Sequence, residues 1–472
     1  MKPRVIRLFA VAALAVIPAL ALGQASEVRV AANGASGDNS PAATADTAKV
    51  LVGEKKSASS FFASAPTIEI QHFRPTDMRG LNVFETPKAD DTPYTGFKLN
   101  WGAAFTQQFQ GLDHSNTAQA RIVNGVDRNK LVQIGHGFNN ASANLYLNAQ
   151  LAKGIRVSLA TYLSTRHHNE TWVKDGFFLI DASPIDYAPL NEIMKYVTLR
   201  IGHFEVNYGD AHFRRTDAGN AMYNPLVGNY IMDAFTTEVG AEAYLRHKDF
   251  MLMGGVTNGE IRGQVRQPND RSPSYLAKAG FDRQLNDELR VRLTGSLYTT
   301  KKSINNTIFS GDRAGSRYYS VVDSTAATET SQAWSGSIQP GFRSKVTTWQ
   351  VNPFVKYSGL ELFGVVENAR GRASNETAER EWNQYAGDVV YRFLADDRVF
   401  VSGRYNTAKG ELAGIANKVS VDRYQVGGGW FLTPNVLMKA EWVNQKYNDF
   451  PVTDIRNGGR FKGYVIEGVV AF

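Results

Sequence analysis

Two adjacent arginines, Arg214 and Arg215, stand in the run Asn207-Tyr208-Gly209-Asp210-Ala211-His212-Phe213-Arg214-Arg215-Thr216-Asp217. A guanidinium is planar, permanently charged and forked, so this pair suits the binding of carboxylate or phosphate groups rather than the making of bonds. With His212 and Asp210 they are the candidates for a place that filters or holds anions. The competing arrangement has the two arginines neutralise Asp210 and Asp217 within the same stretch. Other clusters point to chemistry less well. His167-His168-Asn169-Glu170 has metal-ligating types, but they are adjacent rather than spaced to converge from one face. His203 and His136 are accompanied by no nucleophile elbow or fixed spacing to a Ser or Thr. The sequence thus implies no catalytic residue, no metal and no cofactor.

The elements that would position these groups are strands. From Tyr94 onward, apolar and polar residues alternate with period two over segments of about ten residues, the length of a tilted strand that crosses a bilayer. Phe97, Leu99, Trp101, Ala103, Phe105 and Phe109 share one face, opposite Lys98, Asn100, Thr106 and Gln108. Ala143, Leu145, Leu147, Ala149 and Leu151 repeat the pattern, Lys153-Gly154 supplies a tight turn, and Ile155, Val157, Leu159 and Leu163 restart it in phase. The two segments therefore form a hairpin whose apolar faces coincide. Counting weaker segments, the chain predicts an all-β, antiparallel up-and-down transmembrane barrel of about sixteen strands, with eighteen as the alternative. Link lengths agree, because short links such as 358–359 and 394–397 alternate with long ones such as 206–235 and 303–344. That parity is expected of short periplasmic turns and long external loops.

A barrel of this kind acts through the charges on its polar face. Taking phase from the apolar partners, the lumen would present Arg156, Arg200, Arg290, Arg292, Arg404 and Arg423 among a majority of basic groups, with Glu238 and Glu242 among the acidic minority. That balance leans toward anions, unless the charges pair across strands and merely solvate the wall.

The chain begins as a Sec-type signal: Lys2, Arg4 and Arg7 precede an apolar run, 8–22, and small residues suited to cleavage after Gly23 or Ala25. Losing those three cations takes the formal charge from +7 to +4. The basic residues form no runs of the kind that bind nucleic acid. There is no Cys, hence neither a disulfide framework nor a thiolate metal site. Residues 24–93, rich in Ala, Ser, Gly, Asp and Thr, read as a flexible periplasmic arm, with a plug as the lesser alternative, and 94–472 as the barrel. The last strand carries Tyr464, Ile466, Gly468, Val470 and the terminal Phe472 on one face, which resembles the outer-membrane targeting signal of porins.

The segment Leu199-Arg200-Ile201-Gly202-His203-Phe204-Glu205-Val206-Asn207-Tyr208-Gly209, followed by Thr237-Glu238-Val239-Gly240-Ala241, resembles the centre of the phosphate-selective porin O and P family. The resemblance implies a trimeric, sixteen-stranded anion channel in the bacterial outer membrane, in contact with lipid. It implies further that loop 206–235 folds inward, with Arg214 and Arg215 as the eyelet. The dense Arg and Lys run of that family is absent, so phosphate selectivity does not follow. The expected activity is passive diffusion of small hydrophilic solutes, with anions preferred. An adhesin or surface-binding barrel is the alternative, and a barrel hydrolase a weaker one.

Overall fold

Period-two alternation can satisfy lipid on one side and water on the other only if every backbone N–H and C=O finds a partner within the sheet, which requires closure. The computed structural model describes residues 70–88, 92–164, 171–183, 185–259, 265–310, 319–328 and 336–472. The signal segment, most of the expected arm and the run His167-His168-Asn169-Glu170 lie outside the described residues.

Sixteen antiparallel strands form one closed barrel. In chain order they are β1 Lys98–Ser115, β2 Gly137–Ala152, β3 Ile155–Ser164, β4 Trp172–Ile180, β5 Val197–Glu205, β6 Thr237–His247, β7 Phe250–Thr257 and β8 Ser274–Gln284. They continue as β9 Leu289–Thr300, β10 Lys345–Tyr357, β11 Leu360–Arg372, β12 Arg380–Phe393, β13 Val399–Gly410, β14 Val419–Thr433, β15 Val436–Asn448 and β16 Arg460–Ala471. Each pairs with its neighbour, and β1 closes against β16 in the register Phe105 to Val470 and Phe109 to Ile466. The terminal Phe472 completes the seam: its N–H donates to the Ala103 carbonyl at 2.9 Å, and its ring meets Trp101 edge-on at 6.2 Å.

The outer face carries the expected apolar set, with Trp101, Phe105, Leu145, Leu293, Val426 and Trp442 all exposed. At the short-turn end Phe250, Tyr357, Tyr391, Phe393 and Trp430 add exposed rings, as an interfacial belt requires. One turn-side link is long. Residues 181–196 hold the helix α1, Ala188–Met194, which the strand pattern did not signal.

The expectation of a flexible arm over 24–93 does not hold for 70–88. Phe84 and Ile70 are buried, and Phe84 packs edge-on against Phe354 at 5.3 Å and Phe213 at 5.8 Å. Met78 N–H donates to the Pro434 carbonyl at 2.9 Å, while Gln71 N–H donates to Gln150 Oε1 at 3.0 Å. The segment therefore crosses the short-turn end of the lumen, reaching from β2 to the β14–β15 turn. Its composition is polar because its anchors are polar side chains of the wall.

Val426 sits near the middle of β14 on the lipid-facing surface. Val426→Arg should lower unfolding stability in vesicles by about 2–4 kcal/mol. Urea titration of the refolded barrel measures this, and an unchanged midpoint would place that face away from lipid.

Candidate functional site: a lumen filled from two directions

Loop 206–236 turns into the barrel at Gly209, where φ is +70°, a left-handed conformation that favours glycine. Within the lumen the loop has almost no secondary structure of its own, so its amides need outside acceptors. The wall supplies them. Gly209 N–H donates to Ser296 Oγ at 2.8 Å, Asp210 N–H to Asn352 Oδ1 at 2.8 Å and Gly219 N–H to Asn144 Oδ1 at 2.8 Å. Val227 N–H donates to Glu441 Oε2 at 2.7 Å, Ile231 N–H to Asn406 Oδ1 at 2.6 Å and Met232 N–H to Gln384 Oε1 at 2.7 Å. These acceptors lie on β9, β10, β2, β15, β13 and β12, so the loop is bound around much of the wall.

The described parts of loop 301–344 close over it. Phe235 N–H donates to the Ile308 carbonyl and Ile338 N–H to the Ile231 carbonyl, at 2.9 and 2.8 Å. Val227, Ile231, Tyr319, Val321, Ile338 and Phe342 form an apolar core inside the barrel.

The four residues expected at the constriction are all on the inward loop, but none of them presents an unneutralised charge to a pore. Arg215 forms an ion pair with Asp233 at 2.6 Å and a longer one with Asp217 at 3.4 Å, and is 4 % exposed. Arg214 lies 3.4 Å from Glu361, donates to Asn82 and is buried between Phe354 and Phe363. Asp210 accepts from Arg292 at 2.8 Å and lies 2.8 Å from Lys278 Nζ. His212 Nδ1 is 3.4 Å from Glu205. The arginines thus fasten the loop, one of them to the acid within the loop that the sequence offered as a competing partner.

The lumen candidates divide by position. Arg404 forms a fork with Asp388 at 2.6 and 2.8 Å and also donates to the Gly228 carbonyl. Arg423 donates to Gln445 and to the carbonyls of Asn229 and Gly336. Glu238 accepts from Tyr298 at 2.6 Å. Glu242 accepts from Tyr244 at 2.6 Å and from the Asn207 amide at 3.0 Å, with Arg200 at 3.4 Å. Arg290 and Arg292 hold Asp282, and Arg156 donates to the carbonyls of Gln71 and His72. Arg290, Arg404 and Arg423 on β9, β13 and β14, and Arg156 and Glu242 on β3 and β6, thus anchor the inserted segments.

Two cavities lie on the β2–β9 side, the deeper one chiefly along β3–β6. A cavity of about 1160 Å³ occupies the short-turn end, lined by Lys88, Lys153, Asp181, Lys195, Arg246 and Arg290 among others. A deeper one of about 290 Å³ runs between Arg156, Lys174, Arg200 and Tyr244 of the wall and Arg74, Phe213 and Tyr223 of the inserts. Sequence reasoning missed the contribution of 70–88 to both. The signal that could have found it is the run Arg74 to Lys88, where charged residues alternate with Phe84 and Leu81 after a stretch nearly free of aromatics.

The two inserts also hold each other. Glu85 pairs with Lys278 at 2.7 Å and Arg292 at 2.6 Å, the same cations that hold Asp210. Burial alone would push both carboxyls up, but Lys278 and Arg292 overcome it and hold both below the usual carboxylate range. Among the described residues no three His, Asp or Glu side chains group as metal ligands.

No protein-family model matches the sequence, and no curated protein matches it. Among solved structures, the anion-selective porin from Comamonas acidovorans superposes with a TM-score of 0.48 at 9% identity, over 80% of this chain and 100% of that one. The outer membrane channel DcaP of Acinetobacter baumannii gives 0.46 at 10% identity, over 81% and 100%. OprB of Pseudomonas putida gives 0.46 at 11% identity, over 80% and 94%. The likeness is one of barrel shape, and no residue role or solute passes from these proteins to this chain. No family model ties segment 199–241 to the porin O and P family.

Because the Glu85 and Asp210 carboxyls are held low, their contribution to docking is complete above their unfolded values of about 4 and fades only as pH falls through the lower folded ones. Hydrogen exchange of 80–88, corrected for intrinsic rate, should therefore keep its protection from pH 7 to about pH 4. Loss of protection already at pH 5 would contradict the clamp.

Proposed function

We propose that this chain is a bacterial outer-membrane porin, exported through the Sec pathway, that gives small hydrophilic solutes passive passage along the β3–β6 side of its lumen and favours anions. The supporting observation is the pair of charge-lined cavities there, inside a closed wall with an apolar outer face, whose combined lining holds more Lys and Arg than Asp and Glu. Fixed charge in a narrow, partly desolvated passage raises the local concentration of counter-ions, so even a modest cationic excess biases entry. The excess acts through the wall and the 70–88 segment rather than through Arg214 and Arg215, whose charge is spent on Glu361, Asp233 and Asp217. Assembly as a homotrimer is part of the proposal. The shallow outer groove lined by Ala243, Gly254, Ala277, Ala279 and Gly295 would let two walls approach closely.

The proposal treats the protein as neither an enzyme nor an adhesin. Against the adhesin reading stands the long loop 301–344, which turns Ile308, Phe309, Tyr319, Val321, Val322 and Ile338 into the barrel rather than displaying them.

Refolded protein in a planar bilayer should give stepwise ohmic openings of small conductance, with a reversal potential in a salt gradient that shows anion preference. Arg214→Ala with Arg215→Ala should loosen the loop and enlarge the conductance rather than abolish selectivity. A barrel that stays silent in every salt would overturn the channel reading.

A further inference from the structure

The two cavities adjoin. The residues lining both are His72, Phe84, Glu85, Asp181 and Arg246, and these five frame the throat between them. Three of them come from segment 70–88. The throat is therefore half wall and half insert, at a different position from the inward loop.

The charges at the throat are not equivalent. Glu85 is held by Lys278 and Arg292. Asp181 accepts from Thr198 Oγ1 at 2.5 Å and lies 3.6 Å from Lys88 Nζ. Arg246 differs: its guanidinium donates to Thr198 Oγ1 at 3.2 Å and lies 4.8 Å from the Tyr244 ring centre, with no carboxylate of the described residues within ion-pair distance. It is half-buried and open to both cavities. A guanidinium in that state keeps donors for an incoming oxyanion, and its planar fork matches a carboxylate with two parallel bonds. The surroundings fit the rest of such a solute. Phe73, Phe177 and Phe213 line the deeper cavity, whose 290 Å³ is at the lower end of sites that hold small molecules.

Resting on the channel reading above, we propose that Arg246 is the solute-binding residue of this throat, and that the throat takes small organic carboxylates, the charged end on Arg246 and the apolar body toward Phe73, Phe177 and Phe213 of the deeper cavity. The inward loop then shapes the lumen, and segment 70–88 sets which anions are held on the way through.

Benzoate is a suitable probe, being one carboxylate on a flat apolar body. Chloride current through the wild type should fall in the presence of millimolar benzoate, and Arg246→Gln should need at least tenfold more for the same reduction. Lys248→Gln, a cation lining only the larger cavity, should behave as wild type. Equal benzoate sensitivity in wild type and Arg246→Gln, or an equal loss in Lys248→Gln, would overturn the assignment. Should Arg246→Gln not refold, Arg246→Lys keeps the charge without the fork and should lose several-fold in benzoate sensitivity at unchanged chloride conductance; undiminished sensitivity would overturn it. Calorimetric titration of benzoate into the refolded wild type and variants separates the two readings. A silent barrel that still binds benzoate through Arg246 removes the channel but keeps the site, whereas a conducting barrel without that binding removes the site but keeps the channel.

Discussion

A stretch of irregular backbone inside a barrel is surrounded by sheet rather than water, and each amide left without a partner there costs on the order of a kilocalorie or more. Loop 206–236 is tolerable in the lumen because Ser296, Asn352, Asn144, Glu441, Asn406 and Gln384 accept from its amides. Those side chains alternate with lipid-facing ones along their strands, so the period that places the barrel in a membrane also delivers the acceptors inward. Where the loop is fastened most heavily, on β9–β15, the wall polar groups are consumed, with Asn144 on β2 and Glu242 on β6 as further anchors. The space it leaves is displaced toward β3–β6.

Charge follows the same logic. A buried cation is tolerable when a carboxylate and further acceptors meet it, and removing one partner of such a pair is typically worth about 3–5 kcal/mol. Arg404 with Asp388, Arg215 with Asp233, and Lys278 and Arg292 with Asp210 and Glu85 meet that condition. The last set joins loop 206–236 to segment 70–88 through shared cations, and Arg214, reaching both Asn82 and Glu361, joins them again. The two inserts are thus coupled to one another as well as to the wall. The barrel supplies the frame, and the inserts decide where water and solute can go.

The barrel was legible in the sequence because lipid on one face and a polar interior on the other impose a residue-by-residue alternation that survives without knowledge of partners. Strand positions, the alternating link lengths and the closing Phe472 could all be read from it, and even the weak segments at Trp172, Phe250 and Ser274 became strands. The inward loop could be placed by its order in the chain. Which charges it would cover could not, because whether Arg214 meets Asp210 or Glu361 depends on how far a loop without periodicity travels across the lumen. Segment 70–88 was hidden for the same reason. Its anchors, Lys278, Arg292, Glu361 and Gln150, are remote in sequence, and its own composition is that of a linker. In the sequence Arg246 is one basic residue among many, since its lack of a carboxylate partner is a fact of three-dimensional arrangement.

The central claim is that one side of the lumen is filled and the other open. The chain contains no cysteine, so single cysteines report accessibility without background. Ser158, on the wall of the deeper cavity, and Ser402, whose hydroxyl donates to the Pro225 carbonyl of the inserted loop, are matched probes on opposite sides. Exposed to a charged, water-soluble thiol reagent, Ser158→Cys should react quickly and reduce the current while Ser402→Cys stays protected. Equal reaction at both positions would show a lumen open all round and contradict the account.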